Sequence, residues 1–283
     1  MGAQCAQRGV GDQAAREYDG LMDVKDLHNR LAGATVVVTR PAASAAPIKR
    51  RVKQLGGTPL SLPGATLRKA GDVKSSKAEL VAAKSSDVVV FISPAAVKYA
   101  FALAKLRFTR ATQVCAMGEA TARALRRQGV KKILVPLDTQ NSEGLLALPE
   151  LQRLRGKRVS VIGAPGGREL LVSTLKSRRA RVQTVHVYRR TPPRFRRDQL
   201  VLLENADLPL ITIITSEEIL DNLRAVLPLP LFGKLAAGEL VVSSVRLALA
   251  ARRSLFGSVH IAASPAPADL LRAACGALAH HRL

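Results

Sequence analysis

The chain has 283 residues, 47% hydrophobic and only 3% aromatic, and its 44 Lys and Arg against 21 Asp and Glu give a formal charge of +23. That length suits two domains of ordinary size, and the Ala, Val and Leu content is ample for their cores, which excludes disorder as the starting expectation. The longest apolar runs, such as Ile211 to Ile214, fall far short of the ~20 residues needed to cross a bilayer.

No secretory signal is read at the N-terminus, which lacks an apolar core, so a cytoplasmic location is expected. Cys5, Cys115 and Cys275, odd in number and far apart, fit neither a disulfide framework nor a zinc site. A large positive charge attracts nucleic acid, anionic lipid or a small multi-acid substrate. The basic residues are spread over many segments, among them Lys49 to Lys53, Lys105 to Arg110, Arg123 to Arg127, Arg178 to Arg181 and Arg189 to Arg197. With aromatics for base stacking scarce, that spread argues against nucleic acid.

Residues 1–30 are rich in Gly and charge, show no clear period, and are expected to form a poorly ordered or weakly helical extension. From Ala34 onward the chain alternates strand and helix. Thr35 to Thr39 is a continuous run of apolar and β-branched residues, as in a strand buried on both faces. A basic helix is predicted from about Ala43 to Leu55, ending at Gly56-Gly57. Further strands are predicted over Val88 to Ile92, Gln113 to Met117, Lys132 to Val135, Val159 to Gly163, Val182 to Tyr188, Leu210 to Thr215, Leu240 to Ser243 and Val259 to Ala262. Segments suited to right-handed crossovers separate them, which implies an α/β protein with parallel sheets flanked by helices.

Two breaks interrupt the rhythm, at Ser61-Leu62-Pro63-Gly64 and at Thr191-Pro192-Pro193. They divide the chain into a discontinuous first α/β domain, residues 33–63 plus 192–283, and a second over 67–187, with hinges near 63–67 and 187–192. A faint internal repeat supports two similar lobes. Val88 to Val97 resembles Leu210 to Ile219, and Val114 to Gly129 resembles Leu240 to Gly257.

Hydroxylic and small residues sit where the strands end and helices begin: Ser93-Pro94, Gly118 with Thr121, Ser142-Glu143-Gly144, Thr215-Ser216 and Ser243-Ser244. In open α/β sheets ligands bind at this edge, where helix N-termini present free N–H groups. The plain alternative for each hydroxyl is helix capping. Gly163 to Leu170 (GAPGGREL) is neither a Walker loop nor a G-x-G-x-x-G fingerprint, and is read as a turn placing Arg168 near an anionic ligand.

His28, His186, His260 and His280-His281 show no metal-ligand spacing with Cys or carboxylates. His186 alternates with Tyr188 on one strand and is read as packed or solvated. No nucleophile elbow is present, and Glu217-Glu218 read as first-turn helix acids. An enzyme so poor in acid and base groups would work by positioning. Tyr188, in the stretch VHVYRR, is one of three tyrosines in a chain without tryptophan. At the hinge it is a candidate proton donor; the alternative is a core ring with a solvated hydroxyl.

The pieces VVVTRP (Val36 to Pro41), FISPAAV (Phe91 to Val97), MGEATARAL (Met117 to Leu125), SEGLLALPEL (Ser142 to Leu151), RVSVIGAPGGRELL (Arg158 to Leu171), HVYRR (His186 to Arg190), IITSEEILDNL (Ile213 to Leu223) and VVSSVRLALAA through ADLLRAA (Val241 to Ala274) carry a resemblance in their order and spacing. Together they resemble the uroporphyrinogen-III synthase family. The chain departs from it at Ala95-Ala96, where relatives often have Asn, and at Ser243-Ser244, where many have a Gly-Pro-type turn.

The resemblance implies two α/β lobes on a two-stranded hinge and a cofactor-free lyase. Such an enzyme closes hydroxymethylbilane to uroporphyrinogen III, losing water and inverting the last pyrrole ring, through a spiro intermediate. Tyr188 matches the family tyrosine proposed as acid for the departing hydroxyl. The substrate-binding set expected here is Arg40, Ser93, Thr121, Ser142, Arg168, Thr215, Ser216 and Ser244. The expected partners are the octacarboxylate linear tetrapyrrole and, in passing, the enzyme that supplies it. Neither nucleic acid nor membrane is expected, and the chain is expected to be a monomer. Two other classes remain open: a non-enzymatic two-lobed binding protein or regulator for an anionic ligand, and a basic nucleic-acid-associated protein.

Overall fold

A computed structural model describes residues 30–137, 139–166 and 169–281, with the side chains of Ala42, Ala43, His280 and His281 left out. The extension expected over residues 1–30 therefore lies, except for Arg30, outside the described residues. The chain opens with β1 (Thr35–Val38), α1 (Ala42–Gln54) and β2 (Thr58–Ser61), and β3 (Thr66–Lys69) leads away from them. Then come α2 (Val73–Ala83), β4 (Val88–Phe91), α3 (Pro94–Leu103), β5 (Gln113–Ala116), α4 (Glu119–Arg127), α5 (Ser142–Ala147), β6 (Arg158–Gly163), α6 (Glu169–Ser177) and β7 (Arg181–His186). The return begins with β8 (Tyr188–Thr191) and α7 (Arg197–Glu204) and continues through β9 (Leu210–Ile214), α8 (Glu217–Val226), α9 (Leu229–Ala237), β10 (Glu239–Val242), α10 (Val245–Arg253), β11 (Ser258–Ile261) and α11 (Pro267–His281).

The strands form a five-stranded sheet in the order β11-β10-β9-β1-β2, a four-stranded sheet in the order β5-β4-β6-β7, and a two-stranded ribbon of β3 with β8. Every pairing within the two larger sheets is parallel, whereas the ribbon is antiparallel. The strand–helix alternation thus builds parallel sheets flanked by helices, as the sequence predicts.

The apolar runs are continuous because each sheet has a core on both faces. Val37, Leu210 and Ile214 face one core of the first lobe, while Val36, Val38, Ile211 and Ile213 face the other. In the second lobe Val89 and Phe91 face one core and Val88 and Val90 the other. A strand that must satisfy two cores has no polar side to show, and this is what made β1, β4 and β9 conspicuous. Among the described residues no helix is long and apolar enough to cross a membrane.

The structure corrects three expectations. Lys132 to Val135 is not a strand: Leu134 makes one isolated parallel bridge to Cys115, and Pro136, which has no N–H, follows at once. The run Val182 to Tyr188 is two strands. It breaks at Val187, where the chain leaves its parallel partner β6 and takes up the antiparallel partner β3. His186 and Tyr188 consequently do not share one environment, since His186 is exposed and Tyr188 buried.

Thr212, at the centre of β9, is fully buried, and its hydroxyl finds no hydrogen-bond partner among the described residues. An unmet buried hydroxyl costs about 1–3 kcal/mol. Thr212→Val keeps the shape and removes that hydroxyl, so it should stabilise the protein by about 1 kcal/mol, read as a higher urea midpoint at unchanged slope. A lower midpoint would show that the hydroxyl is satisfied.

Candidate active site at the hinge

The ribbon pairs Thr66 with Thr191, Leu67 with Arg190, Arg68 with Arg189 and Lys69 with Tyr188. Tyr188 is only 5% exposed, and its ring packs into the core that holds Phe91, Val97 and Val185. Its hydroxyl lies 3.2 Å from Ser93 Oγ. Ser93 caps α3, its Oγ accepting the Ala96 N–H at 3.1 Å, with Pro94 preset for the first turn. Because Oγ accepts from the backbone, the Ser93 proton remains available to the phenol oxygen. The positive end of α3 also favours negative charge developing on the pair. Tyr99, further along α3, stacks on Tyr188 with ring centroids 5.4 Å apart and planes 18° from parallel, and its hydroxyl donates to the Leu67 carbonyl at 3.0 Å.

Beside this cluster opens a cleft of about 770 Å³. Pro41 and Pro63 line it from the loops of the five-stranded sheet, Thr66 and Leu67 from the ribbon, and Pro94, Lys98, Tyr99, Arg127 and Gln128 from α3 and the end of α4. Tyr99 is part of the lining, whereas Tyr188 and Ser93 are not, and Tyr188 meets the cleft through the Tyr99 ring stacked on it. Lys98 and Arg127 are exposed and make no ion pair among the described residues. None of Tyr99, Lys98 and Arg127 was singled out from the sequence. The rarity of tyrosine that drew attention to Tyr188 applies equally to Tyr99.

The crossing segments are pinned to the first lobe. The Gly64 N–H donates to the Thr39 carbonyl at 2.8 Å, and Asn222 Nδ2 donates to the Gly64 carbonyl at 2.9 Å. A Cβ on Gly64 would stand 2.4 Å from Ile219 Cγ2, so the close approach needs glycine. Arg190 ties three elements together. Its Nε meets Glu218 on α8 at 3.0 Å, and its Nη2 donates to the carbonyls of Pro165 and Gly166 in the turn after β6, at 3.3 and 3.2 Å.

The other sequence candidates divide into groups. Ser216 and Ser244 cap α8 and α10, accepting from Ile219 N at 3.4 Å and Leu247 N at 3.3 Å. The half-buried Thr215 lies with them, its carbonyl accepting from Ser243 Oγ at 3.4 Å. Thr121 is buried inside α4, whose cap is Gly118. Ser142 is the buried first residue of α5, whose cap is Asn141. Gln140 joins the starts of these two helices by accepting the Glu119 N–H at 3.0 Å. Arg40 is half-buried and donates to the Pro265 carbonyl beyond β11, and burial lowers its pKa from the ordinary value. Arg168 lies outside the described residues. The structure therefore joins Ser93 to Tyr188, gathers Thr215, Ser216 and Ser244 at the edge of the other sheet, and sets one guanidinium nitrogen of Arg40 on the Pro265 carbonyl.

Among the described residues no group of three or more His, Cys, Asp and Glu could hold a metal ion. Glu217 and Glu218 are the first-turn acids of α8, as read from the sequence. His260 Nε2 meets Glu239 Oε2 at 2.6 Å and Ser258 Oγ at 3.2 Å, at the opposite end of the strands from the helix caps. One nitrogen serves both partners, so the trio is not a relay, which needs one nitrogen for each. Burial, with a smaller contribution from the charge of Glu150, pushes the Cys115 thiol up to about 12. A thiol so held is not a nucleophile near neutral pH.

Two parallel α/β lobes, joined by an antiparallel ribbon with a hydroxyl pair at its foot and a cleft alongside, define a two-lobed α/β protein. A family model described as uroporphyrinogen-III synthase HemD matches residues 46–272. The uroporphyrinogen-III synthases of Escherichia coli and Salmonella typhimurium are each 31% identical to the chain over 199 residues, covering 69% of this chain and 80% of theirs. The chain belongs to the uroporphyrinogen-III synthase family. Two solved structures share its fold. A mutant uroporphyrinogen III synthase of Thermus thermophilus is 18% identical with a TM-score of 0.53 over 88% of this chain and 100% of that one. The Helicobacter pylori uroporphyrinogen-III synthetase is 14% identical with a TM-score of 0.56 over 87% and 99%.

At pH 8 a thiol reagent should label Cys115 at least about tenfold more slowly in the folded protein than in the denatured one, because burial holds the thiol protonated and out of reach. Mass-spectrometric mapping of the labelled cysteine reads this directly. Fast labelling of Cys115 in the folded protein would reopen it as a nucleophile.

Proposed function

We propose that the chain cyclises hydroxymethylbilane to uroporphyrinogen III at this hinge, with loss of water and inversion of the last pyrrole ring through a spiro intermediate. The lobes would be residues 33–63 plus 192–283 and residues 67–187, with the substrate held between them. The observation that carries the reading is the meeting of Tyr188 and Ser93. Chosen independently from the sequence and 95 residues apart, their hydroxyls stand 3.2 Å from each other at the start of α3.

The chemistry suits so sparse a site. The pyrrole nitrogen pushes out the hydroxyl of a hydroxymethylpyrrole, so the leaving group needs one modest proton donor. The Tyr188–Ser93 pair supplies that proton, and the α3 terminus steadies the phenolate left behind. The proton lost when the closed ring regains aromaticity restores the phenol. No oxidant or reductant is consumed. The remaining task is orientation, holding the chain ends so that closure with inversion outruns simple cyclisation. Lys98, Arg127 and the N–H groups at the capped helix ends are suited to the carboxylates of an octacarboxylate chain.

Purified protein supplied with hydroxymethylbilane should yield the type III isomer, and formation of the type I isomer alone would overturn the reading. Tyr188→Phe should lower kcat about 10²-fold, at the lower end of the ~10²–10⁴-fold range of general acids, with KM within about threefold of the parent. An unchanged kcat would remove Tyr188 from the chemistry.

Raising the ionic strength from about 0.1 M to about 1 M shortens the screening length from ~10 to ~3 Å, and KM should rise several-fold. A flat response would argue against electrostatic capture.

A further inference from the structure

Tyr99 touches every part of the hinge site at once. Its ring lies against Tyr188 on β8, with centroids 5.4 Å apart and an 18° interplanar angle. Its hydroxyl donates to the Leu67 carbonyl on β3 at 3.0 Å. Its own helix, α3, starts at Ser93, the partner of the Tyr188 hydroxyl. Leu67 pairs with Arg190, and Tyr188 with Lys69, so one side chain binds both strands of the ribbon to one helix. It also lines the cleft, which Tyr188 does not.

This arrangement has a mechanical consequence. A phenol on a hinge strand would drift relative to Ser93 whenever the ribbon bends, unless something carries the ribbon and α3 together. A single 3.2 Å hydrogen bond between two hydroxyls is a weak tether for that purpose. A ring stacked face to face limits sliding and tilting of the phenol, and the Leu67 hydrogen bond keeps that ring from swinging into the cleft.

We propose that Tyr99 is a positioning residue for the Tyr188–Ser93 pair, its ring fixing the Tyr188 phenol against Ser93 and its hydroxyl fixing both to hinge strand β3. The inference rests on the function proposed above. Misplacing a reacting group by about 1 Å can cost ~10²-fold in rate, so the effect should fall on kcat.

The test is a double-mutant cycle. Tyr99→Met keeps an apolar side chain but loses the stack and the Leu67 hydrogen bond, and should lower kcat about tenfold or more with KM within about threefold of the parent. Tyr99→Phe keeps the ring and loses the Leu67 hydrogen bond, so it should lower kcat by about threefold, less than Tyr99→Met does. In a Tyr188→Phe background, Tyr99→Met should cost no more than about a further twofold, because the group it positions is already gone. A merely structural role would lower kcat by the same factor in both backgrounds; that result, or an unchanged kcat for Tyr99→Met alone, overturns the inference. If Tyr99→Met loses its cooperative melt, Tyr99→Leu, which is apolar and has no ring to stack, is read in the same cycle by the same criterion. Wild-type protein that forms only the type I isomer would overturn the proposed function itself. Wild-type protein that forms type III with an additive cycle would overturn only the role of Tyr99.

Discussion

The antiparallel pairing of β3 with β8 is the constraint on which the rest of the molecule depends. Parallel sheets need long crossovers, and a chain that leaves one lobe and later returns must cross the gap twice. Here the two crossings pair with each other over Thr66–Lys69 and Tyr188–Thr191. An isolated two-stranded ribbon is marginal in water, so it must be anchored. Leu67 and Tyr188 pack into the core of the second lobe, and Gly64 is held to the first lobe by Thr39 and Asn222. The Arg190–Glu218 pair adds a contact between β8 and α8, but with the two side chains 35% and 45% exposed it contributes at most ~1 kcal/mol. Its value lies in registering the ribbon against α8 and the turn after β6. Ser93 follows β4 and Tyr188 follows β7 in the same sheet, so the hydroxyl pair forms where the second lobe hands the chain to the ribbon.

Charge and geometry divide the work in such a site. The excess of 44 basic over 21 acidic residues favours anionic ligands and selects nothing by itself. Under the proposed function, selection would come from fixed groups: capped helix ends, the cations Lys98 and Arg127 on the cleft, and a hydroxyl pair whose position is set by packing.

How much of this was legible follows from where each signal resides. β1, β4 and β9 face two cores each, so their apolar character is continuous and visible along the chain. β2 and β3 were not read as strands. β2 contains Pro59 and is the sheet edge, where proline is tolerated, and β3 (TLRK) has a largely exposed polar pattern that only its partner β8 makes a strand. The rare residue Tyr188 could be found by composition and place. Tyr99 is equally rare, but its importance comes from a stack across the fold and a bond to Leu67, which no local pattern records. The same holds for Lys98 and Arg127, two cations among 44 basic residues until the cleft selects them.

The hydroxyls at the strand ends pose the sharper question, because helix capping and ligand contact looked like rival explanations. Ser93, Ser216 and Ser244 all cap helices. Capping uses one lone pair of the oxygen and leaves the hydroxyl proton and a second lone pair. A capping serine is thus held in place by the helix while keeping a donor to spare, which is what a rigid proton carrier requires. Ser93 has a phenol within hydrogen-bonding distance of that spare donor, whereas Ser216 and Ser244 sit at the edge of the opposite sheet with theirs directed to no side chain among the described residues. What separates a structural cap from a working one is the second partner. At Ser93 that partner is supplied by the hinge strand, so under the proposed function the strand that joins the lobes would turn an ordinary cap into half of a proton donor.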